Sequence, residues 1–280
     1  MQTITSPILF LGAGNMAQAI TSGAIQAGVL SKDRIAALDP NQSCLDHFQN
    51  GFQSPSDATD WLRSQPLSDG ETPVIVLAVK PQMLLQAIEP INDAISSLPS
   101  TPLLVSILAG TTIETIRSTA SGSPRIIRVM PNTPAQIRLG MSAIAPASDA
   151  TELDRHLVSQ LFNAVGETLE IPELLLDAFT AVAGSGPAYS FYLAEGMINA
   201  AVSMGFSQQD AAIIVRQTML GSATLLSNSD ENPETLRARV TSKNGTTHAA
   251  TSTLDEHKVM DAVVAALKAA RDRGIELGRE

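Results

Sequence analysis

Short uninterrupted apolar runs recur through the first half of the chain. Ile8–Leu11, Ile35–Leu38, Val74–Val79, Leu103–Leu108 and Ile126–Met130 are the clearest. The last four are closed by Asp39-Pro40, Lys80-Pro81, Ala109-Gly110 and Pro131-Asn132. Continuous rather than alternating apolar residues predict strands buried on both faces, as in a parallel sheet covered by helices on each side. The spacers between the runs are long enough for crossover helices. Two further strands are expected, at Ser142–Ala145 and Thr168–Ile171.

From Pro172 the pattern changes to helical periodicity. Helices are predicted over Leu174–Val182, Ala188–Met204, Gln208–Leu226, Glu234–Val240 and Leu254–Ile275. Ser207 stands where the third of these needs an N-cap. The helix from Ala188 is apolar around its circumference, with Phe191, Leu193, Ala194, Met197 and Ala201 spread over its faces. A helix without a polar face is usually buried, and a partner subunit would supply that cover. The expected division is an α/β domain over residues 1–171 and an all-helical domain over residues 172–280.

The composition narrows the possibilities. Of 280 residues, 44% are hydrophobic and 16% charged, which is enough for a sizeable core and low for a fully solvated surface. The net charge is −10 and no segment is strongly basic, so nucleic acid and anionic membranes are poor partners. Cys44 is the single cysteine, and His47, His156, His248 and His257 lack metal-ligand spacing, so no metal site is expected. Without an apolar stretch of membrane-spanning length or a basic, apolar leader, the chain reads as cytoplasmic.

The first apolar run leads directly into Gly12-Ala13-Gly14-Asn15-Met16-Ala17. In a strand-to-helix turn each small residue has a physical task. Gly12 allows the tight turn, Gly14 lets a pyrophosphate approach the backbone, and Ala17 keeps the helix close to the strand. The phosphates would then meet unpaired N–H groups at the helix start. A G-x-G-x-x-A string alone is weak, but its place between strand and helix points to a Rossmann domain that binds a dinucleotide.

Asp39 ends the second run, where the adenine-side ribose would lie. It reads either as an acceptor for the ribose 2′-hydroxyl, which favours NADH over NADPH, or as a turn residue before Pro40. Ala78, Val79, Lys80 and Pro81 either line the cofactor or simply end a strand. Leu108, Ala109 and Gly110 carry the same pair of readings.

In the helical half, Val240-Thr241-Ser242-Lys243-Asn244-Gly245-Thr246-Thr247 precedes a helix. Gly245 is expected to permit an unusual backbone angle. Ser242, Thr246 and Thr247 supply hydroxyls beside helix-start N–H groups, an arrangement able to hold a small carboxylate. The alternative is an ordinary hydroxyl N-cap.

The strings G-A-G-N-M-A, A-V-K-P-Q, S-I-L-A-G, R-V-M-P-N-T-P, G-S-G-P-A-Y and V-T-S-K-N-G-T-T follow one another in this order. Together they resemble the pyrroline-5-carboxylate reductase family from Ile8 to about His257. The resemblance implies reduction of 1-pyrroline-5-carboxylate to L-proline by NADPH or NADH. It implies a Rossmann domain with a parallel-rich sheet, followed by a helical dimerisation domain. Members interlock these helices into a homodimer, and many stack five dimers into a decamer. Carried over, Gly12, Ala13, Gly14, Asn15, Met16, Ala17 and Asp39 would hold the adenine and pyrophosphate side of the cofactor. Ala78, Val79, Lys80 and Pro81, with Leu108, Ala109 and Gly110, would line its nicotinamide side. Ser242, Gly245, Thr246 and Thr247 would grip the substrate carboxylate. Thr247 would also hydrogen-bond the ring nitrogen as it becomes an amine. Glu173 matches a family glutamate near the substrate.

Two departures stand out. The turn usually reads S-P-G-G-T-T, whereas Lys243 and Asn244 occupy its second and third places here. Asparagine tolerates the left-handed region, so the turn is expected to survive. Many relatives have Ser, Asn or Arg near the end of the second strand, where this chain has Asp39-Pro40.

Two rival readings carry less support. A β-hydroxyacid dehydrogenase would place a lysine general acid on a helix of the second half, and no lysine there sits in a G-x-x-x-K setting. A protein that binds the dinucleotide without turnover would not need the Gly245-Thr246-Thr247 turn.

Overall fold

The computed structural model describes residues 3–68 and 70–278. They form two compact units, one of residues 1–185 with 270–280 and the other of residues 186–269.

The first unit is built on eight strands: β1 (Ile8–Leu11), β2 (Ile35–Leu38), β3 (Asn50–Phe52), β4 (Val74–Leu77), β5 (Leu103–Ser106), β6 (Arg125–Met130), β7 (Gly140–Pro146) and β8 (Gly166–Glu170). The sheet order is β3-β2-β1-β4-β5-β6-β7-β8. Strands β1 to β6 pair in parallel, β7 runs antiparallel to β6, and β8 is parallel to β7. The seven expected strands are all present, and β3 is an addition. With only Phe52 as a large apolar residue and an outer position in the sheet, β3 leaves no apolar run to read.

The continuous apolar runs follow from the twofold period of a strand. Ile8 and Phe10 face one core, with Ala17 and Ile20 of α1 (Asn15–Gln26). Leu9 and Leu11 face a second core on the opposite side, together with Ala58, Leu62, Ile88 and Ile116. Every strand residue from Val74 to Leu77 is buried. A run buried on both faces cannot alternate.

The expected domain boundary at residue 171 falls inside this unit, because the following segment stays on the sheet. Leu176 packs with Ala143 and Ala145 of β7. The expected helix over Leu174–Val182 is instead a short 3₁₀ turn (Glu173–Leu175), one α turn (Leu176–Phe179) and one wide turn (Thr180–Gly184). The cause is local. Asn132 donates from Nδ2 to the Ala183 carbonyl at 3.0 Å, and the Ser185 N–H reaches back five residues to Thr180 O at 2.8 Å. Asn132 Oδ1 accepts from the Met141 N–H, so one amide ties the wide turn to β7.

The second unit holds helices over Gly186–Ser203, Gln208–Ser227, Pro233–Arg239 and Thr246–Glu256, with most of a helix over Val259–Leu277. Ser207 caps the second of these by accepting from the Asp210 N–H. One helix had been expected over Leu254–Ile275. Lys258, at φ 53°, breaks that span in two, and a separate helix already starts at Thr246. Large apolar side chains stand open on this unit: Phe191 is 71% exposed and Tyr192 80%, joined by Leu193, Ile213, Leu220 and Val263. So much apolar surface marks a protein–protein interface. Among the described residues, no helix is long and apolar enough to cross a membrane.

Candidate functional site

The parallel register Leu11↔Leu77 sets the ends of β1 and β4 side by side. The loops that follow therefore meet where the strand order reverses, the position at which doubly wound sheets bind ligands. Gly12 adopts φ +99°, and a Cβ there would lie 2.6 Å from Ala78 O and 3.0 Å from Val79 N. Only glycine permits both the angle and the approach. The Gly12–Ala17 loop and the Ala78–Pro81 loop thus form one surface.

Gly14 is the N-cap of α1 and makes no side-chain cap. A Cβ on Gly14 would meet nothing within 4 Å. Open space lies in front of an uncapped helix start, which fits a pyrophosphate. Ala13 and Ala17 are buried, whereas Asn15 is exposed and Met16 half-buried. Gln18 Nε2 braces the loop by donating to Ala13 O at 2.8 Å.

Asp39 makes the contact expected of a turn residue and one more to the glycine loop. Its Oδ1 accepts from the Asn41 N–H at 2.8 Å, which is a turn contact. Its Oδ2 accepts from the Ala13 N–H at 2.8 Å, which ties the end of β2 to the glycine loop.

Beyond β4, Lys80 and Pro81 are exposed and the next strand end lies adjacent, with Ile107 N–H donating to Leu77 O. Leu108 is buried, Gly110 takes φ +70°, and Ala109 is exposed. After this loop comes the helix Ile113–Thr119, capped by Thr112. Glu173 holds its first N–H, accepting with Oε1 from Ile113 N at 2.7 Å and from Arg128 Nη1 at 2.8 Å. Glu173 was expected beside the substrate; one of its oxygens is committed to the protein. Arg128 was not singled out from sequence, although an arginine inside the run Ile126–Met130 is itself a sign of a buried counter-ion.

In the second unit, the start of the helix Thr246–Glu256 has no side-chain cap. Its N-cap is Gly245, so the ordinary hydroxyl-cap reading does not hold. The first backbone bond into this helix runs from Ala249 N–H to Gly245 O. Among the described residues, no partner is found for the Thr246, Thr247 and His248 N–H groups at the positive end of the helix. The expected unusual angle at Gly245 is also corrected. Gly245 has φ −85°, and the left-handed residue is Asn244 at φ +62°. Gly245 is needed for room instead, since a Cβ there would lie 2.3 Å from Ser242 Oγ. The Ser242 hydroxyl is folded over the turn, and Gly245 N–H donates to Ser242 O at 3.0 Å. Thr247 is half-buried, and no hydrogen bond from its hydroxyl is found among the described residues.

Comparison with known proteins matches the two parts of the chain to different family models. Residues 7–110 match the family model "NADP oxidoreductase coenzyme F420-dependent". Residues 173–277 match "Pyrroline-5-carboxylate reductase dimerisation". The chain is 36% identical to pyrroline-5-carboxylate reductase of Arabidopsis thaliana over 269 residues, covering 94% of each protein. It is 36% identical to that of Pseudomonas aeruginosa over 278 residues, covering 99% of this chain and 98% of the relative. Among solved structures, pyrroline-5-carboxylate reductase of Coxiella burnetii aligns with TM-score 0.86 at 31% identity, over 98% of this chain and 99% of that one. The Plasmodium falciparum pyrroline carboxylate reductase, solved with NADP bound, aligns with TM-score 0.84 at 26% identity, over 99% and 100%.

Proposed function

The chain belongs to the pyrroline-5-carboxylate reductase family, and on that premise we infer that it reduces 1-pyrroline-5-carboxylate to L-proline with NADPH or NADH, the last step of proline biosynthesis. It is an oxidoreductase acting on a C=N bond. The observation that carries the reading of its substrate site is the start of the helix Thr246–Glu256, which has no side-chain cap and lies beside the hydroxyls of Thr246, Thr247 and Ser242.

Reduction of an imine needs a hydride at carbon and a proton at nitrogen. When bound, the dinucleotide supplies the hydride. The residues of this chain have the remaining tasks. The N–H groups of residues 246–248 hold the substrate carboxylate, favoured by the helix dipole without a full positive charge opposite. Ser242 completes that grip, and Gly245 keeps it open. The Thr247 hydroxyl is free to donate to the ring nitrogen and to steady it as it becomes an amine. A protonated imine is already electrophilic, so alignment is the main catalytic requirement. In the first unit, Gly12, Ala13, Gly14, Asn15, Met16 and Ala17 offer backbone to the pyrophosphate. Asp39 lies on the adenine side, and Ala78–Pro81 with Leu108–Gly110 on the nicotinamide side. Glu173 keeps one carboxylate oxygen for the substrate while the other holds the loop after β5.

The open apolar faces of the second unit support a homodimer, and five such dimers would make the decamer of many family members. Residues 172–280 are the proposed dimerisation and substrate-binding domain, and the cytoplasm is the proposed compartment.

The test is the absorbance loss of NADH and NADPH on addition of 1-pyrroline-5-carboxylate. Imine-dependent oxidation with proline as product is expected. Folded, dinucleotide-bound protein that oxidises neither cofactor would overturn the assignment.

A further inference from the structure

The loop of residues 107–112 follows β5, on the nicotinamide side of the site assigned above. Among the described residues, its middle makes only long local hydrogen bonds. Leu108 N–H reaches Ser106 Oγ at 3.3 Å, and the Thr111 hydroxyl reaches Ala109 O at 3.5 Å. Later segments of the same unit hold the loop instead. A Cβ on Gly278 would lie 2.8 Å from Gly110 O, so the end of the last helix closes on the middle of the loop. At the far end, Glu173 Oε1 accepts from Ile113 N–H at 2.7 Å.

Arg128 holds Glu173 in turn, donating from Nη1 to the same oxygen at 2.8 Å. Arg128 stands in β6 between Ser106 of β5 and Ala145 of β7, with its side chain 8% exposed. Strand ladders fix its backbone on both sides. Glu173 is a third exposed and follows the last strand of the sheet. Without the guanidinium, its carboxylate is free to turn to water and release Ile113. Stability alone does not explain an arginine at this place, because exchanging a buried ion pair for apolar residues is often neutral or stabilising. What the pair supplies is position. The strand β6, the segment after β8 and the loop after β5 meet at one oxygen atom.

We propose that Arg128 is a positioning residue for the reaction: through Glu173 it sets the loop of residues 107–112, and with it the place of the nicotinamide. This deepens the function assigned above and rests on its dinucleotide site. Arg128 touches neither cofactor nor substrate in this scheme. It keeps the nicotinamide half of the site formed in advance, so that binding does not have to order the loop. The adenine and pyrophosphate half, built on the glycine loop, does not depend on it.

The test separates the two halves. Calorimetric titration without imine compares NADPH with 2′-phospho-ADP-ribose, the same molecule without its nicotinamide. Arg128→Met keeps the apolar stem of the side chain and removes the cation. It should bind NADPH about tenfold more weakly and bind the fragment as wild type does. The double variant, Arg128→Met with Glu173→Leu, leaves no unpaired charge behind. It should unfold near the wild-type urea midpoint and show the same split, which a purely stabilising pair would not produce. A folded variant that binds NADPH as tightly as wild type would overturn the proposal and leave the dinucleotide site standing. So would equal losses for NADPH and the fragment, since the effect would then not be local to the nicotinamide. If Arg128→Met does not fold, the double variant decides on the same readings. Folded wild-type protein that binds neither ligand would overturn the site itself, and the proposal with it.

Discussion

A Cβ on Gly12 would stand 2.6 Å from the carbonyl oxygen of Ala78, so the two loops of the dinucleotide site touch through a residue that has no side chain. Gly12→Ala meets both that contact and a φ of +99°. A cost of about 2–4 kcal/mol in stability is expected, together with loss of dinucleotide binding. Gly14→Ala is the control. Its φ of −71° suits any residue, and its Cβ would point into open space. It should therefore fold normally yet bind dinucleotide at least tenfold more weakly, because the added methyl intrudes on the approach of the pyrophosphate. Urea midpoints and fluorescence titrations separate the two. Unimpaired binding by Gly14→Ala would mean that the phosphates lie elsewhere.

Glu173 and Arg128 form the second relation that matters to the site. Arg128 lies in β6 with its side chain 8% exposed, and Glu173 Oε1 bridges it to the first N–H of the helix after Gly110. Glu173→Ala would strand a buried guanidinium. Removal of one partner from a buried pair costs several kcal/mol, but Glu173 is a third exposed. A loss of about 2 kcal/mol is expected after allowance for solvent screening. The imine KM decides what else Glu173 does. An unchanged unfolding midpoint with a raised KM would put this residue on the substrate and not in the clasp.

Much of the first unit could be read in advance because a strand buried on both faces writes itself as a continuous apolar run. The five strands recognised that way, and the two expected without such a run, differ from the observed ones by no more than two residues at either end. Asn50–Phe52 escaped because an outer three-residue strand buries too little to leave a pattern. Competition for hydrogen bonds is also silent in sequence. Nothing in Leu174–Val182 announces that Asn132, more than forty residues earlier, will take the Ala183 carbonyl and widen the turn. At the turn before the helix Thr246–Glu256 the expected conformation was placed on the wrong residue. Gly245 was expected for its angle and is needed for its size, while the angle falls on Asn244.

That distinction bears on the next pair of variants. Gly245→Ala places a methyl 2.3 Å from Ser242 Oγ without backbone strain at position 245. The fold should persist, and the imine KM should rise about tenfold as the carboxylate grip is pushed open. Thr247→Ala removes a hydroxyl with no other work found among the described residues. Turnover should fall about tenfold to a hundredfold with stability nearly unchanged, the scale of one lost catalytic hydrogen bond. Steady-state kinetics in saturating cofactor distinguish the two effects. Full turnover by Thr247→Ala would remove the hydroxyl from the mechanism.

Asp154 sets how the first unit responds to acid. It lies in the first turn of the helix Glu152–Asn163, and its side chain is 2% exposed. Burial alone would push its carboxyl up. Arg125 opposes this through two bonds, Nε to Oδ2 at 2.7 Å and Nη2 to Oδ1 at 3.1 Å. The Thr151 hydroxyl and N–H add two more to Oδ2, completing a capping box. The hydrogen bonds prevail, and the carboxyl titrates below its usual value. A group whose folded pKa is depressed adds stability above its unfolded pKa, near 3.9 for aspartate. That stability drains away as pH falls through the lower folded value. Asp154→Asn should therefore cost about 3 kcal/mol at pH 7, since Arg125 loses its partner charge. The gap between wild type and variant should shrink as pH drops below about 4. Urea unfolding at fixed protein concentration, followed by Trp61 in the same unit, reads this directly. A gap that stays constant from pH 7 down into the acid range would show that the Asp154 charge contributes nothing beyond its shape.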